Sequence, residues 1–197
     1  MQASAKGQAG TRGQIVAAAD ALFHAQGFER TSFADIAAAV GISRGNFYYH
    51  FKSKDEILEA VIGSRREATG RMLECWQVEG GDAPARLRSF IRMLVDNRAA
   101  ILARGCPVGT LSAELVRLGH RAAPSANDLL LQFRAWLQAR FEEAGLAADD
   151  AARAAMHLLA RSQGVALLAN VFNDEAFLQQ EVAALEAWLE GRLQAGP

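Results

Sequence analysis

Residues 31–58 read T-S-F-A-D-I-A-A-A-V-G-I-S-R-G-N-F-Y-Y-H-F-K-S-K-D-E-I-L, and the spacing of their apolar and capping residues decides the fold. Phe33, Ile36, Ala37 and Val40 fall on one face of a helix. Thr31 or Ser32 can cap its start, and Asp35 in the first turn suits the positive end of the helix dipole. Gly41-Ile42-Ser43 then makes a tight turn: Gly41 can take a left-handed backbone, Ile42 can plug a core, and Ser43 can cap a second helix. That helix, Arg44 to about His50, carries Phe47 and Phe51 four apart as inward anchors. Ser53-Lys54-Asp55-Glu56 is a capping-box pattern that opens a longer helix through about Val78.

Working outward, a first helix is expected from about Thr11 to Gln26, with Ile15, Ala19, Leu22 and Phe23 on one face and Gly27 as a stop. Beyond residue 78 the pattern predicts further helices over about 83–103, 107–118, 125–144, 149–172 and 174–193. The expected fold is therefore all-α, with about nine helices: a three-helix head and a helical body. Residues 1–11 read as a flexible tail, 12–54 as the head and 55–197 as the body. About half of the 197 residues are apolar, enough for a core without metals or disulfides. Two cysteines fit a reducing cytoplasm, and no unbroken apolar run predicts a membrane span. Charge is divided unevenly. Through Lys54, six Lys and Arg face three Asp and Glu; beyond it, fifteen face nineteen, giving +3 and −4. All three lysines lie within the first 54 residues. A basic head on an acidic body suits one end meeting a polyanion, although solvated charge scatter gives the same count.

Two short helices joined by a tight turn form a helix-turn-helix, whose second helix enters the DNA major groove. Arg44 and Asn46 are candidate base readers, because Arg pairs bidentately with guanine and Asn with adenine. Gly45 would let the backbone approach DNA closely, while Tyr48 and His50 can bond phosphate oxygens. Lys54 sits where a helix N-terminus adds to the attraction. The alternative is that Tyr48, Tyr49 and His50 complete a small core.

The joint pattern from Thr31 to Leu58 resembles the TetR family of bacterial transcriptional regulators, and the likeness extends back to about Arg12 through Ala21-Leu22-Phe23 and Gly27-Phe28. It covers roughly the first quarter of the chain. The resemblance implies a homodimer whose body binds a small molecule and alters two DNA-binding heads. By position it implies DNA contacts from Thr31, Arg44, Asn46, Tyr48, Tyr49, His50 and Lys54, with Gly45 permitting close approach and Ser43 capping the reading helix. A ligand-responsive repressor on a near-palindromic double-stranded operator is the function it implies.

In the body, Leu178, Val182, Leu185 and Leu189 repeat at helical spacing, while Ser162, Gly164, Ala166 and Ala169 would permit close helix approach. These stripes either pair two chains or pack within one; by resemblance, the last two helices of both chains form a four-helix dimer bundle. Trp76, Met93, Phe133, Trp136 and Phe141 either fill the core or line a pocket for an apolar or aromatic effector. Gly105-Cys106-Pro107 resembles a motif of one branch of the family, where it opens a short helix. Cys106 at such a cap is either a small buried residue or, as in some regulators of that branch, a sensor of oxidants or electrophiles. No paired carboxylates, metal-ligand cluster or phosphate loop is seen, so neither catalysis nor a cofactor is expected; a helical small-molecule carrier is the alternative class.

Overall fold

The computed structural model describes residues 10–194, which form ten helices and no strand. They are α1 (Thr11–Gln26), α2 (Phe33–Val40), α3 (Arg44–His50), α4 (Lys54–Glu79), α5 (Ala83–Asp96), α6 (Arg98–Arg104), α7 (Pro107–Arg117), α8 (Ala123–Glu143), α9 (Ala148–Phe172) and α10 (Glu175–Gln194). Of the expected tail, residues 1–9 lie outside the described residues, and Thr11 already opens α1. The extra helix comes from a break at Asn97, inside the stretch expected to be one helix over 83–103. The Asn97 side-chain amide donates to the Met93 carbonyl (2.9 Å), competing with the regular ladder at that turn.

Two compact units divide the chain between Arg65 and Arg66. The first holds α1–α3 and the start of α4, around Ile15, Ala19, Phe23, Ile36, Phe47, Phe51, Ile57 and Leu58, all buried. It reaches past residue 54 because Val61 and Ile62 are also buried and Arg65 pairs with Asp20 at 2.6 Å.

The second unit has its own core, in which α8 and α9 each contribute a long buried stripe. From α8 come Leu129, Phe133, Leu137 and Phe141; from α9 come Ala151, Ala155, Leu158, Ser162, Ala166 and Ala169. Here α10 adds Leu178, Val182, Leu185 and Leu189. The seven residues expected at a dimer interface (Ser162, Ala166, Ala169, Leu178, Val182, Leu185, Leu189) are all buried within the monomer. Surface ion pairs Arg92–Glu186 and Arg98–Glu175, both 3.0 Å, also join α10 to its own chain.

The stretch Arg98–Arg117 has the average hydropathy of a short membrane span. It is broken at Gly105, whose φ of 73° separates helices of 7 and 11 residues. Neither approaches the ~20 residues that a bilayer requires.

Candidate nucleic-acid interface and body sites

The head is built from caps. Ser32 accepts from the Asp35 N–H, and the Asp35 carboxylate accepts from the Ser32 N–H at 2.8 Å, a reciprocal capping box. The Ser32 hydrogen bonds to the carboxylate, backbone first and hydroxyl second, hold the Asp35 carboxyl below its ordinary range. Gly41 closes α2 in the left-handed conformation (φ 73°, ψ 31°), its N–H reaching the carbonyls of Ala37 and Ala38. Ser43 Oγ accepts from the Asn46 N–H at 3.3 Å and starts α3.

Phe47 and Phe51 are each 1% exposed, so the opposite face of α3 is turned out. Tyr48 is 48% and Tyr49 79% exposed, and Gly45 and Asn46 are exposed beside them. His50 is half-buried with its ring 5.2 Å from that of Tyr49. The Arg44 side chain lies outside the described residues. Tyr48 is steadied by Phe33, ring centroids 5.6 Å apart, while Phe33 sets its edge against Phe47 at 5.1 Å. A Cβ added at Gly45 would meet nothing within 4 Å, so the protein itself does not require glycine there.

Two expected contacts are placed differently. Thr31 is a correction: it is 1% exposed, and its hydroxyl donates to the Gly27 carbonyl at 2.7 Å. Ser32, one residue on, takes the cap and leaves Thr31 to tie the α1–α2 loop. Lys54 is likewise engaged, its ammonium donating to the carbonyls of Phe28 (3.0 Å) and Glu29 (3.2 Å) and lying 4.2 Å from the Phe28 ring centroid. Lys52 is a cation that the sequence pattern marks only as charge. It is exposed just past the end of α3, where its ammonium donates to the Tyr48 carbonyl. Its neighbour Ser53 caps α4 through the Glu56 N–H (3.1 Å), while the Glu56 carboxylate accepts from the Lys52 N–H (2.7 Å), one residue off a regular capping box.

The body candidates share one core but border different surface grooves. Phe133 is a core residue, its ring 5.7 Å from Phe90, and Met93 packs on the same core. Trp76, Trp136 and Cys106 pack against that core as well, with Trp136 and Cys106 lining different grooves. Trp76 and Trp136 do meet, at 5.7 Å, beside a groove between α4 and α8. Cys106 lies elsewhere, as the N-cap of α7 with Pro107 first in the helix, in a cleft shared with Gln163 and Asn170. Cys75 is exposed and donates to Glu79; that hydrogen bond raises its thiol above the usual range and disfavours the reactive thiolate. Among the described residues, no three His, Cys, Asp or Glu side chains gather as a metal site.

The apolar surface that sequence reasoning missed is on α9. Met156, Leu167, Leu168, Val171 and Phe172 are all exposed, and Gly164 lies between them along the helix. The signal was present: α9 is apolar on both sides, the pattern of a helix covered twice.

The family model described as bacterial regulatory proteins, tetR family, matches residues 15–61. A second, described as transcriptional regulator LmrA/YxaF-like, C-terminal domain, matches residues 84–184. The chain is 33% identical over 94 residues to the HTH-type transcriptional regulator TtgR of Pseudomonas putida, a match covering 48% of this chain and 45% of that protein. It thus spans about half the length of the first curated relatives it matches. A Lactococcus lactis protein described as an uncharacterized HTH-type transcriptional regulator in the lacX 3' region is 27% identical over 91% of this chain and 93% of its own. A TetR transcriptional regulator from Legionella pneumophila shares the fold at TM-score 0.80 and 23% identity, covering 95% of this chain and 98% of that one. With the reading helix presented outward and both units matched, the chain belongs to the TetR family of transcriptional regulators.

Proposed function

We propose that the chain is a ligand-responsive homodimeric repressor that binds a near-palindromic operator in the cytoplasm. The observation that carries the reading is the outer face of α3: Gly45, Asn46, Tyr48 and Tyr49 stand out from a helix pinned by Phe47 and Phe51. Asn46 reads a base edge, joined by Arg44. Tyr48, Tyr49, His50 and Lys52 meet phosphates, with Ser43 setting the helix. Residues 12–54 supply these contacts and the rest of the chain supplies pairing and response.

Pairing uses the exposed stripe of α9, not the buried faces of α9 and α10. A two-fold interface brings the same patch together from both chains, so one stripe of Met156, Leu167, Leu168, Val171 and Phe172 covers its copy. The effector need only bind two states of the dimer with different affinity. A coupling of about 1–3 kcal/mol changes operator affinity about 5–150-fold. Selection of bound sequences from a random DNA pool tests the reading. Enrichment of an inverted repeat that Asn46→Ala no longer prefers is expected; enrichment of nothing overturns it.

A further inference from the structure

Between the start of α2 and one side of α3 lies a cup in the head that none of the DNA contacts above uses. Ser32, Phe33, Ala34 and Ala37 line it from α2, and Phe47 and Tyr48 from α3. Its volume is about 370 Å³ and its deepest residues are apolar: Phe47 is 1% and Ala37 7% exposed. Phe33 is half-buried, and Ala34 is exposed at the rim. Tyr48 makes the other wall. Its ring rests on Phe33 at 5.6 Å and meets Phe47 at right angles at 6.4 Å, so the wall stands without DNA.

The lining offers little to a polar group. Of the six residues, Ser32 and Tyr48 alone carry a side-chain hydroxyl. Asp35 uses that of Ser32 twice: it donates to the carboxylate at 2.7 Å and accepts from the Asp35 N–H at 3.2 Å. An apolar cup serves no phosphate, which is held by cationic and polar groups. Base edges come near it, because Gly45 stands one helical turn before Tyr48 and has open space around it. The apolar group that base edges present in the major groove is the C5-methyl of thymine, and alanine and phenylalanine side chains are among its usual partners.

The geometry points to this cup as a thymine reader: the C5-methyl of one thymine in each half-site enters between Ala34 and the Tyr48 ring, against Phe33. Ala34 is then a specificity residue outside the reading helix. Tyr48 divides its work, giving its ring to the methyl group and its hydroxyl to phosphate. The assignment rests on the operator-binding reading above.

The test uses the full chain and the operator selected from random DNA. Each thymine is replaced in turn by deoxyuridine, which removes the methyl group and keeps every base-pairing hydrogen bond. One thymine per half-site is expected to respond. Loss of its methyl should cost about fourfold, and loss of both about fifteenfold, as burial of one and of two methyl groups implies. Where cytosine replaces that thymine, 5-methylcytosine should bind about fourfold tighter than cytosine. Ala34→Asn puts a polar side chain at the rim, so thymine and deoxyuridine should bind it alike. Tyr48→Phe keeps the ring, and should weaken binding overall while preserving the fourfold difference.

Equal binding of thymine and deoxyuridine at every position overturns the assignment and leaves the cup to deoxyribose, which every sequence carries. A difference that persists undiminished in Ala34→Asn overturns it too, because the methyl group then lies elsewhere. If Ala34→Asn melts below wild type, the deoxyuridine and 5-methylcytosine comparisons on the wild-type chain decide the matter. Selection that yields no operator removes the broader reading as well. An operator bound alike with and without its methyl groups keeps that reading and discards this one.

Discussion

At Gly45 the molecule gives up helix stability without any need of its own, since open space surrounds the position. Alanine is favoured over glycine inside a helix by about 1 kcal/mol. Gly45→Ala should therefore raise the melting temperature of the free protein while lowering operator affinity, because a methyl group stands where DNA backbone approaches. A variant that is more stable and binds equally well would show that no close approach occurs. Asn46 and Tyr48 separate by kind of effect. Asn46→Ala should cost about 1–3 kcal/mol and relax preference at one position per half-site, whereas Tyr48→Phe should weaken binding across sequences alike. Competition binding against a set of single-base operator variants distinguishes them. Asp35 offers a pH test. Its carboxyl lies below the ordinary range in the folded chain, chiefly through the Ser32 N–H. Its stabilising contribution is complete above the unfolded carboxyl pKa of ~3.9 and is lost as pH falls through the lower folded value. Helix content followed by circular dichroism from about pH 5 to 2 should fall less steeply in Asp35→Asn than in wild type.

At the scale of elements, caps made the head legible. Ser32, Gly41 and Ser43 are polar or glycine residues at fixed offsets from an apolar stripe, so α2, its turn and α3 could be bounded from the sequence. Ser43→Ala should cost about 1 kcal/mol and reduce operator affinity by fraying the first turn of α3, a loss seen together in melting and binding curves. Asn97 was not legible as a break, because it sits in an otherwise helical run and acts through a side-chain bond to Met93. The exposed apolar face of α9 was not legible for a different reason. Periodicity shows that α9 has two apolar stripes, but choosing the inner one requires knowing where α8 and α10 pack. Leu185 of α10 and Leu168 of α9 take opposite places, one fully buried and the other 40% exposed. Leu185→Ala should cost about 2–5 kcal/mol of stability. Leu168→Glu should leave the fold intact and yield monomers by sedimentation. A variant that remains dimeric would remove α9 from the interface.

For the whole molecule, a net charge of −1 hides a polarity that DNA binding should expose. The first 54 residues carry +3 and the remainder −4, so capture of a duplex is expected to fall to the head. Each phosphate neutralised releases counterions, so the logarithm of the binding constant falls with that of salt by about 0.9 per contact. If each head places about three cationic contacts on phosphate, a dimer makes about six, and affinity should drop roughly 10³-fold between 50 and 200 mM salt. Lys52 is exposed with its ammonium on the end of α3, while the Lys54 ammonium is held by two carbonyls of the α1–α2 loop. Lys52→Ala should therefore reduce the slope by about 2 in the dimer, one contact from each head, and Lys54→Ala should instead lower head stability. The monomer made by Leu168→Glu should show about half the wild-type slope, because only one head engages. Titrations at four or more salt concentrations measure all three slopes. A wild-type slope near zero would mean that the basic head is not the DNA surface, and equal slopes for wild type and Leu168→Glu would mean that the heads do not act as a pair.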